Sequence, residues 1–146
     1  MGLRKKGQWW QSDSQADIPQ ELIRFGRLNE YEPSEFADCK CPCGSRTFRL
    51  TVDDEEGAAV RTCTACQIAH PIADSADYLT NADLQPMSCV CTKDIFEITV
   101  GLSLYEVSDD VAWLYIGCRC PSCGVTGCYG DWMNEYEGFD ELLEKV

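Results

Sequence analysis

Histidine is almost missing from this chain: His70 is the only one. General-base catalysis and most acyl-transfer chemistry rely on a histidine set beside a nucleophile. His70 instead sits next to Pro71, four residues after Cys66, with no nucleophile-and-base pattern around it. Long apolar runs are missing too. No stretch approaches the roughly 18 to 20 residues that a membrane helix needs, and the basic start MGLRKKGQWW has no apolar segment behind it, so neither a span nor a secretory signal is expected. Lys6 stands where a myristoylation motif after Gly2 wants Ser or Thr. Positive charge is scarce: 12 Lys and Arg face 25 Asp and Glu, a net charge of −13. Residues 87–146 hold only Lys93, Arg119 and Lys145. Nucleic-acid binding draws on clustered Lys and Arg, so nucleic acid and membrane are poor partners and a basic protein is the expected one. The expected location is the cytoplasm.

Cysteine is the residue in excess, with eleven copies. A reducing compartment disfavours structural disulfides, and an odd count cannot pair completely, so metal binding is the first explanation for so many thiols. The thiols lie in an internal repeat. CPCGSRTFRLTV (41–52) aligns without a gap on CVCTKDIFEITV (89–100), matching Cys41 with Cys89 and Cys43 with Cys91. Phe48, Leu50 and Val52 then fall on Phe96, Ile98 and Val100, a period of two that predicts a strand in both copies. An acidic turn follows each, DDEEG (53–57) or EVSDD (106–110), and then a second apolar stretch ending in Cys63 and Cys66 or in Cys120 and Cys123.

Two thiols, a strand, a turn, a strand and two thiols make a layout that resembles the zinc-ribbon (rubredoxin-like) class over residues 39–128, most specifically in CPSCG at 120–124. Two thiolates a tight turn apart reach one tetrahedral ion at about 2.3 Å per bond, and a glycine supplies the positive φ such a turn requires. The first pair of each copy departs from the usual spacing, being CxC where a ribbon has CxxC. The expected fold is therefore a small metal-bound β-rich (α+β) protein, with two consecutive zinc-ribbon hairpin units and short helices at the connector and the carboxyl end. Two zinc ions are expected, held by Cys41, Cys43, Cys63 and Cys66 and by Cys89, Cys91, Cys120 and Cys123, with iron as the alternative metal. Cys39, Cys118, Cys128 and His70 are the spare donors: Cys118 shares a strand face with Cys120, and a third site from these four is a lesser possibility beside buried apolar thiols and a turn histidine.

Segment boundaries follow from these motifs: an arm at 1–38, the first ribbon with its connector at 39–86, and a second, larger ribbon with a terminal helix at 87–146. PQELIRFGRL (19–28) suits a short helix limited by Gly26, while adjacent Trp9 and Trp10 cannot share one face of a regular element. Residues 72–87 predict one or two helical turns stopped by Pro86. FEITVGLSLY and VAWLYI are apolar enough to be buried on both faces. Phe139, Leu142, Leu143 and Val146 fall at i, i+3, i+4 and i+7, an amphipathic helix.

Four thiolates per ion leave no open coordination position, so catalytic zinc is not expected. Thiol oxidoreductases place CxxC at a helix start, whereas here the pairs end strands. The functional expectation is a non-enzymatic, acidic protein-interaction module with structural zinc. Its candidate surface is GCYGDWMNEYEGF (127–139), where Tyr129, Trp132 and Tyr136 stand among Asp131, Glu135 and Glu137. Alternatives are an immunity-type toxin inhibitor or nucleic-acid mimic, and a zinc-ribbon accessory subunit of transcription or RNA machinery.

Overall fold

Apolar side chains on both faces of a strand have to be covered twice, and the chain meets that demand by layering. The computed structural model describes residues 2–136 and 138–146; Glu137, one of the acids in the candidate surface, lies outside them. In chain order the elements are β1 (Arg4–Lys6), β2 (Trp9–Gln11), α1 (Ile18–Leu28), β3 (Glu35–Asp38), β4 (Phe48–Asp53), β5 (Ala58–Cys63), β6 (Ala69–Pro71), a 3-10 segment (Ser75–Asn81), β7 (Gln85–Pro86), β8 (Glu97–Leu104), β9 (Val111–Arg119), β10 (Thr126–Tyr136) and α2 (Phe139–Leu143). They form a small β-rich protein with few helices. Its sheets run in the order β6-β5-β4-β7 and β10-β9-β8-β3, with β1–β2 as a separate hairpin.

The internal repeat is visible as two hairpins, β4–β5 and β8–β9, joined at their cysteine-bearing ends. Phe48 and Phe96, which align in the repeat, pair with each other: each main-chain N–H donates to the other's carbonyl, at 2.9 and 2.8 Å. The two-fold relation extends to an exchange of edge strands. β3 precedes the first hairpin yet pairs with β8, and β7 precedes the second yet pairs with β4. The registers correspond under the 48-residue offset of the repeat: Ala37 faces Val100 as Gln85 faces Val52, and Asp38 faces Thr99 as Pro86 faces Thr51. Cys39 N–H donates to Ile98 O as Met87 N–H donates to Leu50 O, both at 2.9 Å. Each half therefore completes the other's sheet.

One face of each sheet turns inward, and Phe48, Leu50, Val52, Phe96, Ile98, Val100, Leu114 and Ile116 form a continuous core between the halves. The outer face of β8–β9–β10 is covered by α1. Ser14 and Asp17 form a reciprocal capping box just ahead of it, and Pro19 falls in its first turn, where its missing N–H is harmless. Ile18 and Leu22 pack on Tyr115 and against Gly101 and Gly117. Gly26 does not end this helix. It lies inside it because the chain doubles back there: a Cβ would meet Pro33 Cδ at 2.4 Å.

At the carboxyl end the helix is shorter than its apolar spacing suggests, five residues, with Leu142 fully buried. Residues 126–136, most of which belong to the stretch expected to form a partner surface, make the longest strand among the described residues. A bulge at Tyr129 breaks its alternation, and the extra residue turns the phenol ring onto Phe96, 4.9 Å between centroids.

Candidate metal centres

Cysteine pairs sit where hairpins begin and end, so each site is assembled from two turns of the chain. The two halves build those turns alike. In the first knuckle Cys41 N–H donates to Ser45 O and Gly44 N–H to Cys41 O; in its counterpart Cys89 N–H donates to Lys93 O and Thr92 N–H to Cys89 O, all between 2.7 and 2.9 Å. The closing knuckles repeat the correspondence. Gln67 N–H reaches Cys63 O at 3.0 Å as Gly124 N–H reaches Cys120 O at 2.7 Å, and the following strands return through Ile68 O and Val125 O. The shortened CxC spacing is thus accommodated by one turn geometry used twice.

These turns bring the sulfurs together as two groups of four, Cys41, Cys43, Cys63 and Cys66, and Cys89, Cys91, Cys120 and Cys123, with all four ligand atoms of each group within 4.8 Å of one another. Sγ···Sγ separations across the knuckles are 3.5 Å (Cys41–Cys66), 3.6 Å (Cys43–Cys63), 3.5 Å (Cys89–Cys123) and 3.7 Å (Cys91–Cys120). A tetrahedron with bonds of about 2.3 Å has edges of about 3.8 Å, close to these values. A disulfide would require about 2.05 Å, and all eleven cysteines are free. Both groups are able to hold a metal ion.

As free thiols the eight are not equal. N–H groups of Cys66 and Ala65 point at Cys63 Sγ and bring its thiol down to about 6. The Lys93 N–H brings Cys91 down to about 7. Burial pushes Cys89 up to about 12. Each site thus contains one thiol that ionises more readily than an ordinary cysteine, and metal binding to such thiols releases protons. No protein-family model, curated protein or solved structure matches this chain. The metal-binding assignment accordingly rests on the geometry of its own cysteines.

Among the described residues the spare donors form no third centre. Cys39 is fully buried where its strand crosses to β8, and burial pushes its thiol up to about 12. Cys118, also fully buried, belongs to the core between the sheets, whereas Cys128 packs on the opposite face with Ile18 and Tyr115. Burial raises both thiols well above the ordinary range, so all three behave as protonated apolar residues. His70 Nε2 donates to Lys145 O at 2.7 Å; it ties β6 to the carboxyl end and is not a ligand.

The expected partner-facing aromatics are placed differently from one another. Trp132 is only 7% exposed and belongs to the core, so it is not a projecting anchor. Tyr129 packs on Phe96, and Tyr136 lies half-buried with its hydroxyl accepting from Lys145 Nζ at 2.7 Å.

The knuckles differ at one aligned residue. Gly44 has φ of +99°, and Thr92 adopts +78° at the equivalent position. A β-branched side chain there costs about 1–2 kcal/mol, partly offset by the extra unfolded-state freedom of glycine. Thr92→Gly is expected to raise stability by about 0.5–1 kcal/mol net, read as a higher unfolding temperature at matched metal content. Unchanged or lower stability would mean that the Thr92 side chain contributes an interaction that offsets its backbone strain.

Proposed function

We propose that both centres hold zinc as a structural ion, that the two hairpins are tandem zinc ribbons, and that the chain is a non-enzymatic, cytoplasmic module that binds a basic protein. The observation that carries this reading is the closure of both sites. Four thiols from two knuckles lie within 4.8 Å of one another in each, enough to supply all four ligands of a tetrahedral ion, which suits a resident ion and would leave no position for a substrate. Neither CxxC pair, Cys63/Cys66 or Cys120/Cys123, lies at the start of a described helix, as a redox CxxC pair would require. A charge of −13 before any contribution from the tetrathiolate centres favours a cationic partner. None of the described helices is long and apolar enough to cross a membrane.

Elemental analysis of purified protein is expected to find two zinc ions per chain. Iron, or no metal, would overturn the zinc assignment. For the partner, zero-length carbodiimide coupling of carboxylates to lysines in the native host, followed by mass spectrometry, is expected to join the chain to a protein of net positive charge. Coupling only to acidic proteins would overturn the basic-partner reading.

A further inference from the structure

Between the β1–β2 hairpin, α1, the start of β10 and the knuckle that opens the second centre lies a groove of about 620 Å³. Its walls are apolar and largely aromatic: Trp10 from the hairpin, Phe25 from α1, Tyr129 from the bulge in β10, and Met87 and Val90 from either side of Cys89. Val90 is 53% exposed although it is apolar. Trp10 belongs to neither core cluster, so packing between the sheets does not account for its ring.

Charge sets this groove apart from the rest of the surface. Three other clefts among the described residues are lined by acids without a Lys or Arg, whereas here Lys5 and Arg24 stand beside a single acid, Glu21. That acid is already committed. Arg24 Nε donates to Glu21 Oε1 at 2.6 Å, and Arg24 Nη2 donates to Glu21 Oε2 at 3.0 Å. The fork leaves Arg24 Nη1 with no hydrogen-bond partner among the described residues. The same guanidinium lies over the Trp10 ring, 4.9 Å from its centroid. Lys5 is exposed and is in no ion pair among the described residues. Its cross-strand neighbour is Trp10, so both side chains leave the hairpin on one face. Aromatic walls thus meet two cationic donors that have no anion left to bind.

We propose that this groove binds a small aromatic carboxylate, its ring against Trp10, Phe25 and Tyr129 and its carboxylate held by Lys5 and Arg24. The size agrees, since sites for small molecules usually enclose about 300–1,000 Å³ within apolar walls bearing a few placed polar groups. Net charge decides between a small anion and an acidic protein. At −13 the chain repels an acidic macromolecule over its whole contact area. Exposed charges beyond about 8 Å are screened at physiological salt, so a monoanion inside the groove feels chiefly Lys5 and Arg24. An aromatic body is favoured over an aliphatic chain on two counts: it gains ring–ring contacts with the walls, and being rigid it gives up less freedom on binding. The site is separate from the basic-partner reading, which concerns the acidic remainder of the surface.

The test is a titration of the metal-loaded full chain, with its tryptophans 15N-labelled, by cinnamate. Cinnamamide is the uncharged control and octanoate the aliphatic anion. The indole signal of Trp10 is expected to move, while those of Trp113 and Trp132, which do not line the groove, stay. Cinnamate should bind with a dissociation constant on the order of millimolar, and cinnamamide about five-fold more weakly. Lys5→Gln, at an exposed position, and separately Arg24→Lys, which keeps a cation beside Glu21, should each weaken cinnamate binding about two- to five-fold. An unmoved Trp10 signal, equal binding of cinnamamide, or undiminished binding in both variants would overturn the groove assignment. Equal or tighter binding of octanoate would overturn the choice of an aromatic body.

Discussion

Removing the metal from either centre is expected to unfold both halves of the chain in one transition. A structural tetrathiolate zinc site contributes an apparent free energy of about 10–16 kcal/mol at neutral pH, against about 5–15 kcal/mol for the whole stability of an ordinary domain. Loss of one ion is therefore enough to exhaust what holds its own hairpin. The exchanged edge strands carry the loss across. When β4–β5 opens, β7 loses its partner and the Phe48–Phe96 pairing breaks, while β3, which leads into Cys41, is pulled from β8. The shared core of Phe48, Leu50, Ile98, Val100 and Ile116 is split at the same moment. Graded addition of a zinc chelator, followed by native mass spectrometry and circular dichroism, should show chains with two ions or none, and the β signal should fall in step with the two-ion species. Cys63→Ser should lower hydrogen-exchange protection in β8 and β9 as well as in β4 and β5. A persistent one-ion species that keeps β8–β9 protected would show that the halves are independent.

How much of this was legible beforehand depends on how local the signal is. The eight clustered cysteines were legible in the repeat, because Cys41 to Val52 and Cys89 to Val100 keep thiols and apolar residues in one phase and a CxxC pair ends the next apolar stretch of each copy. The double burial of β8 and β9 was legible in VAWLYI, but what covers the outer face was not: Ile18 and Leu22 lie about a hundred residues away, and only the two glycines they pack against, Gly101 and Gly117, mark the contact. β10 was hidden by its bulge, although Gly130, Trp132 and Asn134 alternate inward against Asp131, Met133 and Glu135 once Tyr129 is passed over. The exchange of β3 and β7 left almost no trace, since four and two residues carry no usable period. The approach of the β4–β5 turn to β10 was legible only as two separate acidic stretches. Asp54 and Asp131 are 77 residues apart, and no local pattern says that the Asp131 N–H donates to the Asp54 carboxylate. The thiols outside the centres follow the same rule. Cys39 aligns with Met87, a position where the repeat asks only for an apolar residue.

Gly117→Ala is expected to cost about 1–3 kcal/mol, the usual range for overpacking a well-filled core. A Cβ at this position would lie 2.5 Å from Ile18 Cγ2 and 2.9 and 3.0 Å from the two Leu22 methyls, and both side chains are fully buried with nowhere to turn. The glycine provides space here and not an unusual backbone, since its φ is not positive. Trimming the opposing side chain should therefore relieve the clash. Ile18→Ala alone costs about 2–5 kcal/mol through lost burial, but combined with Gly117→Ala the total should fall short of the sum by about 1–2 kcal/mol, measured by denaturant unfolding at saturating zinc. Gly127→Ala on the neighbouring strand is the control: its Cβ would meet Tyr129 Cε1 at 3.6 Å, an ordinary contact, and the change should stay within about 0.5 kcal/mol. A second measurement separates a displaced α1 from general loosening. Cys128 is packed under this helix with Ile18 and Tyr115, while Cys39 and Cys118 lie in the core between the sheets. In metal-loaded Gly117→Ala, Cys128 should become the first thiol to react with a maleimide while the metal content stays that of the unsubstituted chain. Equal gains in reactivity at Cys39 and Cys118 would mean that the substitution loosens the whole protein and that α1 is not a separable cover.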